Sequence, residues 1–131
     1  MQHRRVRRDE ELSWLRDHGF NTLLSVLEDT FNVSAYEESA MRVLHVPTRG
    51  ELEDHQAAQV LEGVMRCLDH DSSVTLLHSD SVTDGILGVL GGYLLRSGLL
   101  DDPIIAIATI QEIMGRPLGP TGRRFLLAAA P

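Results

Sequence analysis

An α/β domain, built on a central, mainly parallel sheet flanked by helices, is the fold class that this sequence predicts, and three observations predict it. Short apolar runs alternate with longer segments of helical periodicity, and turn residues separate them. Strands joined through helical crossovers pair in parallel, which places the functional edge outside their carboxyl ends. At 131 residues and 43% hydrophobic content, the chain has one ordinary core and no spare length for a second domain, so residues 1–131 read as a single unit.

The elements follow in order. Asp9–His18 carries an acidic first turn and apolar Leu12, Trp14 and Leu15, and Gly19 supplies the stop, which makes it the first helix. Thr22–Leu27 is too brief for a helix and reads as a buried strand. A polar stretch with a short helix near Ala35–Ala40 follows. Arg42–Val46 is the next strand, closed by Pro47, which cannot donate to a continuing ladder.

After the turn at Thr48-Arg49-Gly50, Glu51–Asp69 forms a long amphipathic helix, with Leu52, Ala57, Val60, Leu61, Val64, Met65 and Leu68 on one face. Ser73–His78 is the third strand and feeds a helix over Gly85–Ser97. Asp102-Pro103 has the chemistry of an N-cap and a first-turn proline, opening a helix that runs to Gly115. Its isoleucines at 104, 105, 107, 110 and 113 read as core, with this helix and the arginine-bearing N-terminus as the candidate contact surfaces. A short helix over Thr121–Leu127 closes the chain.

Charge and cysteine usage exclude several classes of function. The net charge is −7 and the pI about 5.2, so nucleic acid is not an expected partner. Arg4, Arg5, Arg7 and Arg8 form a basic cluster, read as part of a frayed, solvated terminus over residues 1–8. Cys67 is the only cysteine; it lies among apolar residues at helical spacing, which suits packing rather than nucleophilic attack. No apolar run is long enough to span a membrane and none resembles a signal peptide, so a cytoplasmic location is expected. No cofactor is expected.

The stretch Val74–Leu94, "VTLLHSDSVTDGILGVLGGYL", is the most informative. A strand runs through a polar loop into a glycine-containing helix, a layout that commonly holds an anion at the helix N-terminus. Yet this loop carries Asp80 and Asp84 and no basic residue.

With "LRDHGFNTLLSVLED", "RVLHVPTRGELEDHQ" and "LRSGLLDDPIIAIATIQEIMGRP" around it, this stretch resembles the cysteine-dependent protein tyrosine phosphatases, in particular the compact dual-specificity type. Active members carry His-Cys, five residues, then Arg followed by Ser or Thr, with a Tyr-Leu pair in the next helix. Placing His78 on the motif histidine puts Tyr93-Leu94 on that pair without a gap. The resemblance then puts the nucleophile at Ser79, the phosphate-binding arginine at Gly85 and the hydroxyl residue at Ile86. All three chemical groups are absent. Starting the motif at Cys67 instead puts Ser73 in the arginine position.

Each loss has a physical consequence. A serine hydroxyl ionises far less readily than a thiol, and the planar guanidinium that would grip two phosphate oxygens is missing. Asp80 and Asp84 add negative charge where a dianion would sit, and Val82 replaces a small residue that helps the loop curl. The resemblance also implies an acid on the turn Val46–Glu51. There Glu51 is the one carboxylate, and it reads as belonging to the first turn of the following helix.

The reading is therefore an inactive phosphatase-like domain, of pseudophosphatase type, acting as a binding or scaffold module, with another protein or a second copy of the chain as partner. Its pocket candidates are Ser79, Asp80, Ser81, Val82, Thr83 and Asp84. Two alternatives use the same edge. Glu28, Asp29, His45, His78, Asp80 and Asp84 would meet there if the strands are parallel; a divalent metal would take His45, His78, Asp80 and Asp84, although no metal is expected. A serine hydrolase would use Ser79 with His78 or His45 as base, but no Gly-x-Ser-x-Gly elbow is present.

Overall fold

The computed structural model describes residues 2–28, 36–37, 41–69 and 72–131. The elements are α1 (Gln2–Asp17), β1 (Thr22–Ser25), β2 (Arg42–His45), α2 (Asp54–Cys67), β3 (Thr75–His78), α3 (Asp84–Arg96), α4 (Pro103–Met114) and α5 (Pro120–Ala128). The first helix thus begins upstream of Asp9 and runs through the arginine cluster. It ends where Gly19, at φ 82°, lets Phe20 N–H reach back to the Leu15 carbonyl at 2.9 Å. The short helix expected near 35–40 lies largely outside the described residues.

The three strands form a parallel sheet in the order β2-β1-β3. Their register explains both sheet faces. Leu23 pairs with Val43 and Leu76, and this row joins Leu12, Leu15, Tyr36 and Met41 in the cluster under α1. The next row, Leu24 with Leu44 and Leu77, faces the opposite way, into the cluster that α2, α3 and α5 complete with Val60, Val64, Val89 and Phe125. Central β1 is buried throughout.

A further cluster joins α3, α4 and α5 through Leu87, Ala106, Ile110, Leu118 and Leu126. Here the isoleucine-rich helix departs from expectation. Ile110 is buried and Ile107 packs beside it, but Ile104, Ile105 and Ile113 are 76%, 50% and 66% exposed, so α4 buries one face only.

Glycines in α3 serve the approach of α5. A Cβ on Gly88 would lie 2.2 Å from the Gly122 carbonyl oxygen, so backbone packs on backbone there. The glycine content of this helix, which suggested a phosphate cradle, has a packing explanation.

Cys67 is fully buried, and burial pushes its thiol pKa up against the opposing pull of Arg42 and Arg66. No helix among the described residues is long and apolar enough to cross a membrane.

Candidate functional site

The site is the carboxyl edge of the sheet. The strands end in register there, with Ser25 of β1 between His45 of β2 and His78 of β3. The backbone after β1 continues to bridge its neighbours, as Val26 N–H donates to the His78 carbonyl at 2.9 Å and Thr48 N–H to the Val26 carbonyl at 3.1 Å.

Past His78 the loop is held by local bonds. Ser79 Oγ donates to the Ser81 carbonyl at 2.8 Å, and Thr83 caps α3 by accepting from Ile86 N–H at 3.2 Å. The loop, with the ends of β1 and the β2–α2 connection, encloses a cavity of about 270 Å³. Ser79, Asp80, Ser81 and Thr83 face it from one side, Thr48, Gly50 and Glu51 from another, and Val26, Leu52 and Ile86 give it apolar surface.

Asp84 departs from expectation. Its carboxylate accepts from Gly119 N–H at 2.6 Å and from Gly122 N–H at 2.7 Å. Gly119 is the N-cap of α5 and has no side chain to cap with, so Asp84 of α3 satisfies those orphan donors from across the interface. Asp84 therefore belongs to the α3–α5 junction and not to the cavity. Val82 also lies outside the lining; its carbonyl accepts from Arg116 Nη1 at 2.8 Å.

Glu51 is the second correction. The helix starts at Asp54 and its N-cap is Glu53, in a reciprocal capping box with Gln56. Glu51 precedes the helix and lines the cavity with Ser79. The spacing Glu53-x-x-Gln56 is the sequence signal that could have placed it there.

The metal candidates do not converge. Both oxygens of Asp84 are engaged on α5, and His45 Nε2 donates to the Leu27 carbonyl at 2.7 Å. Neither His45 nor His78 lines the cavity, and no group of three or more metal-ligating side chains occurs among the described residues. Asp29 lies outside the described residues, while Glu28 faces Arg49 at 3.8 Å in an exposed pair. Among the described residues no imidazole lines the cavity beside Ser79.

Gly85 and Ile86, the remaining positions that the motif comparison singled out, are buried. A Cβ on Gly85 would sit 3.0 Å from Phe125 Cε2 and 3.7 Å from Leu52 Cβ, so this position points into the core.

The fold is that of the dual-specificity and protein tyrosine phosphatases. The kinase-associated phosphatase, in a form with its catalytic-site cysteine replaced by serine, superposes with a TM-score of 0.67 over 88% of this chain and 71% of that one, at 16% identity. Tk-PTP in its active form gives 0.66 over 91% and 82%, at 15% identity. A DUF442 phosphatase from Shewanella putrefaciens CN-32 gives 0.63 over 92% and 79%, at 12% identity. No protein-family model matches the chain, and no curated protein matches its sequence.

Proposed function

We propose that this phosphatase-like domain does not carry out cysteine-based phosphoryl transfer and serves as a binding or scaffold module. The observation that carries this reading is Gly85. Where the resemblance places a phosphate-gripping arginine, this chain has a buried glycine whose side-chain direction is filled by Phe125. Ser79 in the nucleophile position and Glu51 and Asp80 on the cavity wall point the same way, since among the described residues no Arg, Lys or His lines that wall to attract a dianion. A fold can persist without its chemistry because the core depends on many residues and the reaction on few. Arg116 does not replace the missing cation, because its described bond is to the loop backbone at Val82 and it does not line the cavity.

The test is turnover of an aryl phosphate by the unmodified protein and by Ser79→Cys, alongside thermal shifts with phosphate and tungstate. The expected result is no turnover by either protein and no saturable oxyanion shift. Turnover that Ser79→Ala abolishes, or strong stabilisation by tungstate, would overturn the reading.

A further inference from the structure

A second concavity, of about 590 Å³, lies away from the loop, between α2 and α5. Ala57, Ala58 and Leu61 of α2 form one wall, Phe125, Ala128 and Ala129 of α5 the other, and Val89 of α3 lies in the floor. Small side chains on both walls let another backbone approach closely, and the surface between the charged rim residues is apolar, lined by Ala57, Leu61, Met65, Val89 and Phe125.

The same molecule has an unpartnered surface of the opposite shape. Ile104, Ile105 and Ile113 stand exposed on α4, with Ala108 and Glu112 on the same side. None of these residues lines the groove. The lengths agree: the groove follows α2 from Asp54 to Arg66, about 18 Å, and α4, Pro103–Met114, is about 18 Å long at 1.5 Å per residue.

We infer that the groove between α2 and α5 receives the exposed isoleucine face of α4 from a second copy of this chain. Charge supports this occupant. Arg66 and Arg96 lie on the groove and form no ion pair among the described residues, and Glu112, equally unpaired, is the acidic residue on the exposed face of α4. Glu62 and Asp69 share the rim, so its charge is mixed, which suits a protein surface better than a simple anionic ligand. Such a contact joins two different surfaces. It closes as a two-fold dimer if each copy gives α4 to the other, and otherwise extends into a ring or chain. It does not depend on whether the loop at Ser79 performs chemistry.

Complementation tests it. One variant carries Ile104→Glu and Ile113→Glu on α4; another carries Ala58→Arg and Ala128→Arg on the groove walls. All four positions are exposed, so the fold is expected to survive, and circular dichroism checks that it does. Sedimentation velocity of the unmodified chain, from micromolar to near-millimolar concentration, is expected to show self-association. Each variant alone should weaken it by about tenfold or more. Mixing the two variants should restore a dimer, because one contributes an intact groove and the other an intact α4. A chain that stays monomeric throughout overturns the inference. So does association that the groove variant leaves unchanged, which would indicate α4 pairing with α4, and so does a mixture that stays monomeric.

Discussion

The loop at Ser79–Thr83 runs directly into α3, yet the loop and the seam that α3 makes with α5 are built in opposite ways. The loop is half-exposed, and apart from the bond from Arg116 to the Val82 carbonyl its described side-chain bonds are local, within three residues. The seam is buried and close enough for backbone to touch backbone at Gly88 and Gly122, with Asp84 bonded across it. The lesson is that residues which look like parts of a binding loop in the sequence belong in part to the packing seam.

That contrast predicts graded effects of substitution. The largest is Gly88→Val. Its side chain would collide with the Gly122 backbone, which cannot rotate away as a side-chain tip can. A loss of about 3 kcal/mol or more is expected by chemical denaturation, enough to unfold a marginal domain. A well-folded Gly88→Val protein would show the seam to be looser than described.

Gly85→Arg comes next, because it forces a long charged side chain against Phe125 and Leu52. Alone or with Ser79→Cys, it should cost about 1–3 kcal/mol and restore no phosphatase activity. Recovery of turnover in the double variant would mean that the position does open onto the cavity.

Asp84→Ala leaves two N–H groups of α5 without their carboxylate, and a loss of about 1–2 kcal/mol is expected, since both are only partly buried. Asp80→Ala, on the exposed loop, should stay within about 0.5 kcal/mol. Equal effects of the two aspartate variants on Tm would erase the distinction between seam and loop.

The smallest effect is in the pH profile. Burial raises the Cys67 pKa, so the folded state holds its thiol proton more tightly than the unfolded state does. That contribution is complete below the ordinary thiol range and is lost as pH rises from about 8.5 towards the higher folded value. Tm should therefore fall more steeply with alkaline pH in the unmodified protein than in Cys67→Ala.

How far the sequence could be read follows the range of the interactions. The strands were legible as short apolar runs, and their parallel pairing followed from the helical crossovers. The caps at Asp102-Pro103, Gly19 and Gly115 were legible too, because a cap involves neighbours in the chain: Asp102 Oδ1 accepts from Ile104 N–H at 2.9 Å, and Gly115 takes φ 67°. The cavity was legible in half. Ser79, Asp80, Ser81 and Thr83 came from one loop, whereas Thr48 and Gly50 entered only when β2 took its place beside β1.

By itself, then, the sequence determined the order of elements, the parallel α/β class and the presence of serine at 79 and glycine at 85, where the resemblance places a cysteine and an arginine, because each depends on residue identity or local spacing. Tertiary structure alone decided that Asp84 caps α5, that Glu51 lines the cavity and that α4 leaves its isoleucines exposed. Those outcomes depend on which elements meet in space. The bond from Gly119 to Asp84 joins residues 35 apart, a separation at which no periodicity or cap rule carries information about the partner.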